Sequence, residues 1–378
     1  MKVVTILGAR PQFVKAKPIS SAFERFNQIH SQNGHHIREV IVHTGQHYDH
    51  QMSKVFFTAL SLKEPEYNLN VGSGTQGWQT AEILKGTEEV LERERPDAIV
   101  VYGDTNSTLG GALAGAKLQI PVAHIEAGLR SFRRGMPEEI NRVLTDHLSS
   151  LLFAPTATAV KNLNAEGITR NVYLVGDVMQ EAAFQFLQVA QQKSTILKRL
   201  KLVPKSYSLV TVHRAENTDT PQHLRGIVQA LKEIGKAETL VWPVHPRTSK
   251  KLKEFHLDFT DHDNVILIEP LSYLDMLALE SSSKVVLTDS GGVQKEAVWF
   301  EVPCVTLREE TEWIETIESG RNHLAGSRTE KIVDLFWAAK EVQPNSISTP
   351  ASGPKNSAAT AIVDAIAEWH QAWRKSAQ

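Results

Sequence analysis

Short apolar runs alternate with stretches of helical period along the whole chain. Val3–Leu7, Val40–His43, Ala98–Tyr102, Val122–Ile125, Leu151–Ala154 and Val172–Val175 are bounded by polar and turn-forming residues. Runs of that length, apolar without alternation, are the pattern of strands buried on both faces. Between them the period changes: over Met136–Leu148, the residues Ile140, Val143, Leu144 and His147 share one helical face. Such a βαβ series predicts a parallel sheet with helices on both sides. Near Ser206 the pattern restarts, with strands expected at Leu209–Val212, Leu240–Val244, Val265–Ile268, Val285–Thr288 and Val302–Leu307. The charged segment Gln191–Lys205 suits a connection between the halves. Gln343–Asn356, rich in Ser, Pro and Gly, reads as a loop, and Ala358–Trp373 as an amphipathic helix carrying Ile362, Ile366, Trp369 and Trp373. The fold class expected is α/β, with two doubly wound domains facing a central cleft.

Length agrees with that division, since 378 residues suffice for two domains of about 150 each. The balance of 41 basic against 43 acidic residues gives no reason to expect nucleic acid or an anionic membrane as partner. No run of apolar residues is long enough to span a bilayer, and Met1–Gly8 reads as a first strand rather than a signal peptide. Cys304 is the single cysteine, so no internal disulfide can form, and a reducing, cytoplasmic setting is expected.

Ligands of doubly wound sheets bind beyond the carboxyl ends of the strands. The residues there are polar: Gly8-Ala9-Arg10-Pro11, Gly45-Gln46-His47, Gly103-Asp104-Thr105, Glu126-Ala127-Gly128-Leu129-Arg130, Gly176-Asp177, His213-Arg214, His245-Pro246-Arg247 and Asp289-Ser290-Gly291-Gly292. In the last, Gly291 and Gly292 read as a tight turn, with a helix from Val293 onward. A helix start of this kind offers free N–H groups and the positive end of the dipole to a phosphate, although it can equally be a packing corner. Gly72-Ser73-Gly74-Thr75-Gln76-Gly77 matches a dinucleotide pattern. It lacks the preceding apolar strand and the place in the first βα turn, so a glycine loop before the helix Trp78–Glu94 is expected there, not nicotinamide.

Three carboxylates stand near strand ends. Asp104 follows a strand and could cap the helix Thr108–Leu118. Glu126 directly follows His124-Ile125, where capping does not account for it. Glu138 lies in a helix start, Pro137-Glu138-Glu139, and could pair with Arg142 at i,i+4 spacing. Together the three look like general acid and base groups. Arg10 and Lys15 belong to the first βα unit, where a cation can face a phosphate. Arg130, Arg133 and Arg134 read as a solvated loop. His213 can hydrogen-bond or protonate a phosphate oxygen near neutral pH, and His245 and Arg247 lie one strand further on. His43, His47 and His50 lack the acid or cysteine partners of a zinc site, so no metal is expected.

Taken in order, Gly8-Ala9-Arg10-Pro11, Gly103-Asp104-Thr105, His124–Arg130, Pro137–Arg142, His213–Asn217, Pro243-Val244-His245 and Thr288–Gly292 resemble the non-hydrolysing UDP-N-acetylglucosamine 2-epimerases over nearly the whole chain. The resemblance implies a GT-B architecture. Its domains would be 1–178, with the C-terminal helix 357–378 returning to it, and a UDP-binding domain 179–356. It implies no cofactor, a UDP-sugar as the partner, and a homodimer. The implied reaction is interconversion of UDP-N-acetylglucosamine and UDP-N-acetylmannosamine for surface polysaccharide precursors. UDP would be eliminated to give a glycal and then re-added. Asp104, Glu126 and Glu138 would handle protons at C2, and His213 and Arg142 the sugar and departing pyrophosphate. Arg10, Ser290, Gly291 and Gly292 would hold phosphates, and Glu296 the ribose. Gln46, His47 and Glu216 match a regulatory second-substrate site of some members. Ile314 stands where the family usually has proline. Two alternatives share the residues: an epimerase acting on UDP-2,3-diacetamido-2,3-dideoxyglucuronate, and a GT-B glycosyltransferase. A nucleotide-sugar sensor without turnover is a third.

Overall fold

A computed structural model describes residues 1–31, 36–45, 62–311, 313–341 and 357–376, without the side chains of Arg10 and Ser376. The chain divides into two compact units, Met1–Ala182 with Pro354–Gln378, and Ala183–Gly353.

In the first unit, strands β1 (Lys2–Leu7), β2 (Arg38–His43), β3 (Tyr67–Asn68), β4 (Ala98–Tyr102), β5 (Val122–Ile125), β6 (Leu151–Ala154) and β7 (Val172–Leu174) form one sheet in the order β3-β2-β1-β4-β5-β6-β7. Every pair is parallel. The helices are α1 (Arg10–His30), α2 (Gln76–Glu94), α3 (Asn106–Lys117), α4 (Pro137–Leu148) and α5 (Ala157–Ala165). The strand interiors are fully buried, as their uninterrupted apolar runs require: Val4, Ile6, Val40, Val42, Ile99 and Val101 share one cluster. Helix α3 approaches that sheet closely because it is built of small residues. A Cβ on Gly115 would lie 2.5 Å from Ile99 Cδ1, and one on Gly110 would lie 2.6 Å from Ile83 Cγ2 of α2.

Helix α6 (Val178–Lys193) begins in the first unit and ends in the second. The second unit continues with α7 (Ile196–Arg199), β8 (Tyr207–Thr211), α8 (Ala215–Thr218), α9 (Pro221–Gly235), β9 (Thr239–Pro243), α10 (Pro246–Glu254), β10 (Val265–Ile268) and α11 (Tyr273–Ser282). It is completed by β11 (Val286–Thr288), α12 (Gly291–Trp299), β12 (Cys304–Thr306), α13 (Ile314–Glu318), β13 (Asn322–Leu324) and α14 (Thr329–Glu341). Its six-stranded sheet runs β10-β9-β8-β11-β12-β13 and is parallel throughout. Val210, Trp242, Leu287, Val305 and Phe336 belong to its core. The last helix, α15 (Ala358–Ser376), lies against α1 in the first unit, and Arg25 Nη2 donates to Thr360 Oγ1 at 3.5 Å.

Three details differ from the sequence reading. Tyr67–Asn68 and Asn322–Leu324 pair as strands although each is too short for an apolar run. The connection Gln191–Lys205 holds the end of α6 and all of α7. Helix α12 starts at Gly291, so the two glycines are its first turn rather than a loop before it. The expected loop Gln343–Asn356 lies outside the described residues.

Both sheets reverse their winding at one place, between β1 and β4 and between β8 and β11. Those reversals are where an open α/β sheet leaves a ligand-sized crevice.

Candidate active site

In the first unit the reversal point is set by polar side chains. Gln12 of α1 accepts from Gly8 N (2.8 Å) and Ala9 N (2.9 Å), and its amide donates to the Tyr102 carbonyl (2.8 Å). The β1–α1 and β4–α3 turns are thereby locked together. Gly103 takes φ +64°, a left-handed conformation that suits glycine. The cap of α3 is Thr105, whose hydroxyl accepts from Thr108 N at 3.3 Å. Asp104 is therefore not the cap, and its carboxylate is left for another task.

That carboxylate pairs with the Arg142 guanidinium, while Asn141 Nδ2 donates to the Asp104 carbonyl at 2.9 Å. Arg142 also binds Glu139 Oε2 at 3.0 Å. The Glu138–Arg142 pairing that the i,i+4 spacing allows does not form: Arg142 turns inward and is 8% exposed. Among the described residues Glu138 makes no hydrogen bond or ion pair, and it stands partly exposed in the first turn of α4. Its neighbour Glu139, which sequence reasoning passed over, does the structural work. Glu139 accepts from Ser131 N (2.8 Å), Ser131 Oγ (2.9 Å) and Phe132 N (2.8 Å). Burial opposes its charge, but those donors and Arg142 outweigh burial and hold the carboxyl below the usual range.

Glu126 occupies φ +73°, rare for a residue with a side chain, and pairs with Lys15 of α1. A Cβ on Gly103 would lie 3.2 Å from Glu126 Oε2 and 3.6 Å from Lys15 Nζ, so the Asp104 turn, Glu126 and Lys15 meet in one place. Burial alone would lower the Lys15 ammonium. Glu126, Asp177 and Asp104 outweigh it and raise the pKa above the ordinary lysine value, so Lys15 remains a cation. Lys15, read from sequence as a phosphate ligand, is thus engaged by a carboxylate. Arg10 opens α1.

In the second unit, Asp289 at the end of β11 is fully buried and accepts from His213 N (3.0 Å), Arg214 N (3.0 Å) and Asn217 Nδ2 (3.0 Å). This fixes the turn after β8 against the turn after β11 and sets the His213 imidazole 3.5 Å from Asp289 Oδ1. Burial, with Arg214 and His245 nearby, keeps the His213 pKa below its ordinary value despite Asp289, so the ring is neutral near pH 7. The His245 ring is centred 5.8 Å from that of His213, and its Nδ1 caps α10 by accepting from Arg247 N at 3.2 Å. Arg247 pairs with Asp219 at the surface.

Ser290 is the N-cap residue of α12, and its N–H donates to Thr288 Oγ1 at 2.9 Å. A Cβ on Gly291 would lie 3.0 Å from Trp313 Nε1, so that indole occupies the space beside the first turn. Lys295 is held over the Trp313 ring at 3.7 Å from its centroid. Glu296, on α12, accepts from Tyr273 Oη at 2.7 Å; burial raises its pKa to about 7.

His43 is buried, stacks on Phe13 at 5.1 Å and accepts from Gly45 N at 2.7 Å, the contacts of a packed side chain. No group of His, Cys, Asp or Glu among the described residues could hold a metal ion. His47, His50 and Gln46 lie outside the described residues; Glu216 is exposed on α8. The sequence had no signal for Gln12, Asn217 or Asp289 as organisers, because their partners are distant in the chain.

Two parallel doubly wound units, one with an acid–base cluster and the other with a glycine-opened helix at its reversal point, define a GT-B-like α/β enzyme. The chain belongs to the UDP-N-acetylglucosamine 2-epimerase family, a family of isomerases, whose sequence pattern matches residues 29–367. It is 53% identical over 337 residues to a UDP-N-acetylglucosamine 2-epimerase homolog of Methanococcus maripaludis, covering 88% of this chain and 91% of that one. A UDP-2,3-diacetamido-2,3-dideoxy-D-glucuronate 2-epimerase of Pseudomonas aeruginosa is 47% identical, with 88% and 91% covered. The crystal structure of a Methanocaldococcus jannaschii UDP-GlcNAc 2-epimerase in complex with UDP-GlcNAc and UDP superposes with a TM-score of 0.84 at 44% identity, covering 97% of this chain and all of that one. No helix among the described residues is long and apolar enough to cross a membrane.

Proposed function

We propose that this chain interconverts UDP-N-acetylglucosamine and UDP-N-acetylmannosamine without hydrolysing either. The observation that carries this reading is the meeting of Asp104, Glu126 and Lys15 at the reversal point of the first sheet, in a chain of this family. The proton on the sugar C2 is not beside a carbonyl, so direct deprotonation is slow. Elimination avoids this: a carboxylate takes the C2 proton, the C1=C2 double bond forms, and the C1–O bond breaks as UDP leaves. Re-addition returns a proton to the other face of C2 and re-forms the C1–O bond. The net change is epimerisation with no cofactor consumed.

Asp104, Glu126 and Glu138 serve as the proton-handling set, typically worth 10²–10⁴-fold in rate. Arg142 and neutral His213 support the sugar and the departing pyrophosphate. Arg10, Lys15, His245, Arg247 and the Ser290-Gly291-Gly292 helix start hold phosphates, and Glu296 meets the ribose hydroxyls. Gln46, His47 and Glu216 form a regulatory site for a second substrate molecule. A second reading, in which the substrate is UDP-2,3-diacetamido-2,3-dideoxyglucuronate, draws on the 47% identity to the Pseudomonas enzyme. The domains of this reading are 1–178 with 357–378, and 179–356. It also includes a cytoplasmic homodimer feeding surface polysaccharide synthesis. The apolar side chains of Phe132, Ile140 and Leu144, exposed on and before α4, suit a subunit contact.

Proton NMR in D₂O tests the chemistry with the protein and each UDP-sugar alone. Deuterium at C2 with appearance of the epimer is expected for UDP-N-acetylglucosamine. Exchange only with the diacetamido-uronate selects the second reading. No exchange with either, and turnover only when an acceptor is added, would make it a glycosyltransferase instead.

A further inference from the structure

Behind the Asp104–Glu126 cluster lies an imidazole that the proposed reaction does not use. His124, on β5 opposite Val101 of β4, has no exposed surface. Its Nε2 is 2.7 Å from the Gly103 carbonyl oxygen, and its Nδ1 is 2.7 Å from Asp146 Oδ1. A carbonyl oxygen can only accept, so Nε2 must carry a hydrogen. Asp146 Oδ2 already accepts from Gly128 N (3.0 Å) and from Arg130 Nη1 (2.7 Å), and a buried guanidinium at that distance favours the ionised carboxylate. Burial works against its charge, yet His124 and Arg130 hold the carboxyl below the usual range. An ionised Asp146 also only accepts, so Nδ1 must carry a hydrogen as well.

We propose that His124 carries a hydrogen on each ring nitrogen, and that it acts as a positioning residue fixing the two turns that present Asp104 and Glu126. One ring nitrogen holds the peptide that joins Gly103 to Asp104. The other reaches Asp146, whose second oxygen holds the Gly128 N–H of the Glu126-Ala127-Gly128 turn. The chain Gly103–His124–Asp146–Gly128 therefore spans the ends of β4 and β5 beneath both carboxylates. Arg130 anchors it from outside: its Nε and Nη2 bind the two oxygens of Glu166 at 2.6 and 2.8 Å. Glu126, in its left-handed conformation, would otherwise have other backbone choices, and a catalytic group displaced by about 1 Å can lose 10²-fold in rate.

The positional effect rests on the epimerase reading; the protonation state does not. Neutron diffraction from crystals grown at about neutral pH reads the hydrogens directly. Hydrogens on both His124 nitrogens and none on Asp146 are expected, and a bare ring nitrogen would overturn the proposal. His124→Gln keeps a donor near the Gly103 carbonyl but removes the charge and the Asp146 link. Its kcat for C2 exchange should fall about 10²-fold, with KM changed less than threefold and UDP affinity by calorimetry unchanged. Wild-type kcat in a variant that binds UDP normally would remove the positioning role. Should the variant not bind UDP, the neutron result decides. Should the wild-type protein exchange no UDP-sugar, the epimerase reading fails while the neutron result still decides the state of His124.

Discussion

At the scale of single residues, the first cluster is an arrangement of carboxylates each held by one cation: Asp104 by Arg142, Glu126 by Lys15. Asp104→Asn keeps the shape and removes the charge. C2 exchange should fall by about 10²–10⁴-fold while UDP binding stays within twofold in calorimetry. Gly291 is a different case. Its missing side chain leaves room for the Trp313 indole, whose Nε1 would lie 3.0 Å from an added Cβ. Gly291→Ala should push that ring away and loosen UDP binding about tenfold, equivalent to roughly 1.4 kcal/mol, with the fold intact by circular dichroism. That Asp104 and Glu126 stand together at strand ends was legible because residues directly after buried strands face one crevice in this fold class. Glu139, Gln12 and Asp146 were not. Glu139 sits beside Glu138 in a helix start where either could do either job, and only the inward turn of Arg142 separates them. Gln12 acts on Tyr102, far along the chain, and no local pattern announces such a partner.

Among the elements, helices α11 and α12 carry an unusual acidic pair. Glu280 is buried on α11 with neither carboxyl oxygen hydrogen-bonded, and Tyr273, two turns earlier on that helix, donates to Glu296 on α12. Burial pushes Glu280 well above the carboxylate range, and takes Glu296 to about 7. Raised acid groups bind more protons folded than unfolded between the two pKa values, so their contribution to stability declines as pH rises through that window. For Glu296 the window runs from the ordinary glutamate value near 4.3 to about 7. Glu296→Gln removes the cost of ionising the buried group. Its advantage in Tm over wild type should grow from pH 5 to pH 7 and then level off. A Tm difference constant with pH would contradict the assignment. Helix α3 gives a test of packing instead. Gly110→Ala would place a methyl 2.6 Å from Ile83 Cγ2 and should lower stability by about 1–3 kcal/mol in urea unfolding. The elements themselves were the most readable level, since uninterrupted apolar runs foretold eleven of the strands described, at nearly their observed limits. β3 and β13 escaped because a two- or three-residue edge strand is defined by its neighbour's free backbone groups rather than by its own side chains.

For the whole molecule, each unit buries its own cluster of apolar side chains. Scanning calorimetry should therefore resolve two transitions. UDP at 100 times its Kd adds about 2.7 kcal/mol to whatever binds it, and it should move the transition of Ala183–Gly353 more than the other. A shift of both by the same amount would show that the units melt as one. The arrangement of the two winding reversals was foreseeable from the repeated strand–helix rhythm; α6 runs from one unit into the other ahead of the charged stretch Gln191–Lys205 that was read as the connection.

That division has a genetic consequence. Ala183–Gly353 is one uninterrupted stretch, whereas the other unit is assembled from both ends of the chain. Ala183–Gly353 is thus a cassette inserted into a host, removable with two cuts and replaceable by the equivalent cassette of a relative with another sugar preference. Whichever parent's sugar the resulting hybrid accepts reveals which reading frame segment, host or insert, has recorded the choice of substrate.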